Sequence, residues 1–181
     1  MSRIGKKIIK IPASVVITKT GDKLNVKGPK GELVLGLNPI IDIEISGEEL
    51  SVKPVKTTKR TPALWGLFRA QINNMVDGVT KGFEKKLELE GIGYKALSEG
   101  ANLVFSLGFS HTIKFEAPKG IQLKIEKNVI TVSGIDRSLV GETAARIRSL
   151  KPPEPYKGKG IHYQGEIIRR KQGKKAVASA S

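Results

Sequence analysis

Residues 41–52, I-D-I-E-I-S-G-E-E-L-S-V, lie over residues 121–132, I-Q-L-K-I-E-K-N-V-I-T-V, at a spacing of 80. The match pairs Ile43 with Leu123, Ile45 with Ile125, Leu50 with Ile130 and Val52 with Val132. Apolar residues at every second position place one face of a strand pair on a core and the other in water. β alternation alone can produce part of such a match, but each copy is also followed by a helical pattern. A chain of 181 residues can hold two small domains. The expectation is therefore a duplicated sheet-plus-helix unit, with domains at 1–82 and 83–181. The fold class is α+β, two tandem similar domains, each a mainly antiparallel sheet packed with one principal helix.

In the first half, Val15–Thr18 and Lys23–Lys27 read as strands around a T-G-D turn, and K-G-P-K-G at 27–31 reads as a second turn. Strands over Glu32–Leu37, Ile41–Ser46 and Leu50–Lys53 complete a sheet of four or five strands. Thr61 and Pro62 offer an N-cap and a first-turn proline. Leu64, Trp65, Phe68, Ile72, Met75, Val76 and Val79 then recur at helical spacing, so Trp65 and Phe68 read as core and not as base-stacking rings. Gly78 and Gly82 weaken and end this helix.

The second half repeats the pattern. Strands are predicted at Leu87–Glu90, Tyr94–Leu97, Asn102–Leu107, Thr112–Glu116, Gln122–Glu126 and Val129–Ser133. Asp136 can cap a helix with Leu139, Val140, Thr143, Ala144 and Ile147 on its apolar side, and Lys151-Pro152-Pro153 stops it.

Charge narrows the function. The chain carries 32 Lys+Arg against 17 Asp+Glu, a net charge of +15, which favours a polyanionic partner. The excess is local: residues 32–52 hold five acids and no base, whereas 137–175 hold eleven bases and three acids. With no cysteine, disulfides and thiolate chemistry are excluded, and a reducing compartment is natural. Lys10 and Pro12 interrupt the apolar start, so no secretory leader is expected, and no run of 18 apolar residues suggests a membrane span.

Chemistry-bearing motifs are few. His111 and His162 are the only histidines, with fifty residues between them, so neither an acid–base pair nor a histidine metal site is expected, and no residue is assigned a catalytic or metal-binding role. No cofactor is expected. G-I-G-Y-K-A at 91–96 has the letters of a dinucleotide fingerprint, but a strand follows where a helix is needed. P-P-E-P at 152–155 contains P-x-x-P, yet it lies between two elements and not in a free tail.

The stretch from Lys151 to Arg170 is different. Its prolines suggest an extended chain, in which Lys157 and Lys159 share one side while Gly158 and Gly160 leave room for phosphates to approach amides. Ile161, Tyr163 and Ile167 would then face inward, and His162, Gln164 and Glu166 outward. Tyr156 and His162 are rings that either stack on a base or ribose or pack on protein. Arg148, Lys151, Arg169, Arg170 and Lys171 extend the basic surface. Lys174 and Lys175 belong either to it or to a solvated charge run. At the other end, Arg3, Lys6 and Lys7 form a basic arm, either a disordered terminus or an RNA contact.

P-E-P-Y-K-G-K-G-I at 153–161 resembles the signature of the bacterial-type large-subunit ribosomal protein L-six family. The similarity extends to S-R-I-G-K-K at 2–7, V-K-G-P-K-G-E-L at 26–33, G-I-G-Y-K-A at 91–96, G-F-S-H at 108–111 and R-R-K at 169–171. Ile8 and Thr112 depart from it, each standing where the family often has proline. The resemblance implies two similar α+β domains, the second making the main contact to large-subunit ribosomal RNA. It also implies a place near the stalk base, beside the translational GTPase site and neighbouring ribosomal proteins. By motif, Tyr156, Lys157, Gly158, Lys159 and Gly160 would touch RNA. The expected role is non-enzymatic, in a cytoplasmic or organellar ribosome, with neither a membrane nor a small-molecule substrate as partner. The competing readings are an RNA-processing enzyme and a generic binder of polyanions or membrane surfaces.

Overall fold

A computed structural model describes residues 2–173. They form two compact units. One runs to Phe83 and takes in Gly134–Leu139; the other holds Glu84–Ser133 and resumes at Val140. No helix among the described residues is long and apolar enough to cross a membrane.

In the first unit the strands are β1 (Ile9–Lys10), β2 (Val16–Thr20), β3 (Lys23–Gly28), β4 (Gly31–Gly36), β5 (Ile41–Ser46) and β6 (Glu49–Pro54), followed by α1 (Thr61–Thr80). They build two antiparallel three-stranded sheets, β2-β3-β4 and β1-β6-β5, and not the single sheet expected from the strand pattern. The break comes at Asn38-Pro39. The Asn38 side chain accepts the Ile40 amide at 3.0 Å and its carbonyl accepts the Ile41 amide at 2.9 Å, so the chain turns out of the β4 ladder. Leu24, Val26, Ile43, Leu50 and Val52 from the sheets and Phe68, Ile72, Met75, Val76 and Val79 from α1 form the core. Each such side chain contributes about 1.5–3 kcal/mol by leaving water.

Trp65 is half-buried on that stripe and donates Nε1–H to the Val52 carbonyl at 2.6 Å. Thr61 is not the cap. Arg60 holds that position without a side-chain bond, and Thr61 Oγ1 instead accepts the Thr58 amide and donates to the Lys56 carbonyl, each at 2.8 Å. It pins the loop before the helix. Gly78 does more than weaken α1: a Cβ there would fall on the Ile135 carbonyl, so only glycine permits this backbone approach.

The second half of the chain contains β7 (Phe83–Glu90), β8 (Lys95–Glu99), β9 (Asn102–Ser106), β10 (Ile113–Phe115), β11 (Ile121–Glu126), β12 (Val129–Gly134), α2 (Arg137–Leu150) and β13 (Gly160–Tyr163). Asp136 caps α2 as expected, accepting the Ser138 amide at 2.8 Å. The sheets are β8-β9-β10 and β11-β12-β7-β13. Leu87, Leu103, Phe105, Ile130, Val132, Ala144, Ile147 and Ile161 are fully buried.

The duplication is plain in the topology. β5 and β11 begin 80 residues apart, as do β6 and β12, and the order β5-β6-β1 is repeated as β11-β12-β7. The second copy then adds β13 outside β7, paired antiparallel with Ile161 opposite Leu89 and His162 opposite Glu88. That extra strand comes from the stretch that sets the second half apart in sequence.

Candidate nucleic-acid interface

Lys151–Arg170 is folded, not extended. The Gly158 amide donates to the Glu154 carbonyl at 3.0 Å and the Glu154 amide to the Lys159 carbonyl at 2.9 Å, closing residues 154–159 into a loop. Two glycines allow this. Gly158 sits at φ +76 and Gly160 at φ +147, in the region that side chains avoid. A Cβ on Gly160 would stand 2.7 Å from the Pro152 carbonyl oxygen, and one on Gly158 would stand 3.0 Å from Nη2 of Arg170. Both glycines are buried, and the Gly158 amide is already bonded, so they shape the loop and do not offer open backbone to phosphates as the extended reading had it.

The loop carries exposed Tyr156 and Lys157 and half-buried Lys159. The tail returns to it: the Lys171 amide donates to the Pro155 carbonyl at 2.7 Å, and the Arg170 guanidinium lies over Gly158. Arg169, Arg170 and Lys171 are exposed. Tyr156, Lys157, Arg170 and Lys171 thus share one cationic surface, which no spacing in the sequence reveals. Ammonium and guanidinium groups are donors suited to phosphate oxygens, and the Tyr156 ring is exposed.

Other predicted residues are placed differently. Arg148 forks onto Glu166, and its ring neighbour Tyr163 lies 5.8 Å from the guanidinium carbon. Arg148 is accordingly a structural cation in this unit, with Glu166 turned toward it and not outward. Hydrogen bonding to Arg148, and then to the Tyr163 amide, holds the Glu166 carboxyl below its usual range, and the same pair raises Arg148. Lys151 is half-buried, its ammonium 4.6 Å from the centre of the Phe109 ring.

His162 was expected to face outward, and it is only 5% exposed. Pairing with β7 on one side, and the Ile161 amide donating to the Lys151 carbonyl at 2.8 Å on the other, bury this short strand from both edges. The ring cannot reach a base. Ile167, expected inward, is 95% exposed, because a turn closed by the Glu166 amide on the Tyr163 carbonyl ends the alternation.

Two rings were missed. Phe109 and His111 are exposed on the G-F-S-H turn and stack with centroids 6.1 Å apart and planes 20° apart. A phenylalanine in a glycine- and serine-containing turn is the signal that could have marked them. His111 and His162 differ in setting, one exposed and one buried. G-I-G-Y-K-A is a turn into β8, in which Tyr94 packs over the space a Cβ on Gly91 would need.

In the first unit, Arg3, Lys6 and Lys7 are exposed on a turn docked on α1. Gly5 lies flat on Trp65, where a Cβ would be 2.6 Å from Cδ2, and Arg69 Nε donates to the Lys7 carbonyl at 3.2 Å. Of the two terminal readings, the basic residues stand on a docked turn. Lys174 and Lys175 lie outside the described residues.

The family described as Ribosomal protein L6 matches residues 11–82 and 90–164. Large ribosomal subunit protein uL6 of Listeria welshimeri serovar 6b is 53% identical over 175 residues, 96% of this chain and 98% of its own. That of Synechococcus sp. (strain JA-3-3Ab) is 51% identical over 179 residues, 98% of this chain and 99% of its own. Large ribosomal subunit protein uL6c of Guillardia theta is 53% identical over 175 residues, 96% of this chain and 98% of its own. With two α+β repeats and a match across nearly all its length, this chain belongs to the ribosomal protein L6 family.

Proposed function

We propose that this chain is a structural, non-catalytic constituent of the large ribosomal subunit, which binds large-subunit rRNA and stabilises its fold near the stalk base and the translational GTPase site. Its partners there are the rRNA and neighbouring ribosomal proteins, in a cytoplasmic or organellar ribosome. The observation that carries this reading is the departure of the second copy from the first. With the added β13, the closed loop before it carries Tyr156 and Lys157, and the tail after it brings Arg170 and Lys171 back beside them. The relatives' shared name, large ribosomal subunit protein, supports the same assignment.

Lysines and arginines on this loop and tail neutralise phosphates and release counterions, while the fold dictates where those charges stand. In this reading the main RNA surface lies in the second domain, residues 83–181. The basic arm of the first domain, with Arg3, Lys6 and Lys7, provides a second contact.

Sucrose-gradient sedimentation of a cell extract tests the reading. The protein should run with large subunits in moderate salt and resist release in high salt better than a generic basic protein. Finding it only in the soluble fraction would reject the ribosomal role.

A further inference from the structure

His162 presents an unusual arrangement. Its ring is buried, Nδ1 lies 3.0 Å from the Tyr163 carbonyl, and Nε2 is buried without a hydrogen-bond partner. A carbonyl only accepts, so Nδ1 carries the proton of the neutral ring and Nε2 presents its lone pair. That lone pair points toward carboxylates: Glu90 Oε1 is 3.6 Å away. Glu88 is the cross-strand partner of His162, and Glu90, two residues further along β7, projects from the same face. One ligand atom from each of the three residues lies within 4.8 Å of the others.

We propose that Glu88, Glu90 and His162 form a binding site for a divalent transition-metal cation of the zinc class. Three features agree. A buried imidazole acceptor facing two carboxylates has no donor to satisfy it, and a cation supplies what is missing. Two carboxylates and a neutral imidazole are balanced by a charge of +2, which a single added proton does not provide. The backbone carbonyl on Nδ1 is the support that metal-ligating histidines use to hold the correct tautomer.

On the Glu90 side the geometry needs little change, whereas ligand-atom separations in the cluster reach up to 4.8 Å and Glu88 must move in. Tetrahedral zinc with bonds of about 2.0–2.1 Å holds its ligand atoms roughly 3.3 Å apart. The Nε2 to Glu90 separation is already close to this, and the side chain of Glu90, 53% exposed, is free to adjust. Water would complete the coordination. A nitrogen ligand selects against magnesium and calcium, which prefer oxygen donors. The sequence expectation of no metal site considered histidines alone; pairing β13 with β7 is what brings the carboxylates in. A bound metal would staple the strand that follows the cationic loop to its sheet.

Calorimetric titration of the intact chain with zinc chloride, beside magnesium chloride, tests the site. One saturable zinc site per chain and no comparable magnesium binding are expected. Glu88→Gln with Glu90→Gln, at half-exposed and exposed positions that should leave the fold intact by circular dichroism, should weaken zinc binding about tenfold or more. His162→Gln should do the same if folded, whereas His111→Gln should have no effect. Absence of saturable zinc binding, retention of wild-type affinity in the double glutamate variant, or dependence on His111 would each overturn the proposal.

Discussion

Arg148 grips Glu166 at two points, with Nη2 2.6 Å from Oε1 and Nε 3.2 Å from Oε2. The second oxygen also accepts the Tyr163 amide at 3.0 Å, so one carboxylate ties the end of α2 to the turn after β13. Both side chains are less than one-third exposed. Replacing Glu166 with Gln should cost about 1 kcal/mol near neutral pH, the upper range for an ion pair that water partly reaches.

The pH dependence of that loss has a definite sign. A carboxyl whose folded pKa is depressed contributes its stability above the unfolded pKa, about 4.3, and loses it as pH falls through the folded value. The gap between wild type and Glu166→Gln in urea denaturation should therefore be constant above about pH 5 and shrink below about pH 4. A gap unchanged at low pH would show that the carboxylate form is not what matters.

Gly160→Ala should be far more harmful than Gly165→Ala. Both positions have positive φ, which costs about 1–2 kcal/mol for a side chain. At Gly165 the added carbon meets open space, whereas at Gly160 it meets the Pro152 backbone. The expected losses are about 1 kcal/mol at Gly165 and more than about 2 kcal/mol at Gly160, read from thermal or urea unfolding. Similar losses at the two sites would mean that the loop shifts freely around Pro152.

Lys157→Ala with Lys159→Ala should weaken rRNA binding more than Lys119→Ala with Lys124→Ala, which removes the same charge from exposed positions elsewhere in the second unit. Filter binding across a salt series should show the salt slope reduced by roughly 1.5 for the first pair. Equal effects of the two pairs would make the attraction a property of net charge alone.

Elements with a strong period were legible. Ile41–Ser46 appears with the expected bounds, and the α1 stripe from Phe68 to Val79 is the buried face. Asp136 could be recognised as a cap because its bond lies two residues away. Thr61 could not, since its hydroxyl is claimed by Thr58 and Lys56, whose path depends on the preceding loop. Strand β1 was missed because two residues, Ile9 and Lys10, have no measurable period; they are strand only because Leu50 and Glu49 lie opposite.

The Lys151–Arg170 stretch divides the two levels most clearly. Sequence alone determined that it is basic, stopped by prolines, supplied with glycines and absent from the first copy, because composition and repetition are properties of the chain itself. Tertiary structure decided which of its groups face water. Glycine permits positive φ without requiring it, so the loop depends on the bonds among Glu154, Gly158 and Lys159. Burial of His162 depends on a strand more than seventy residues earlier and on Lys151 lying alongside. Those are long-range contacts, and no local pattern of residues encodes the partner a strand edge will find.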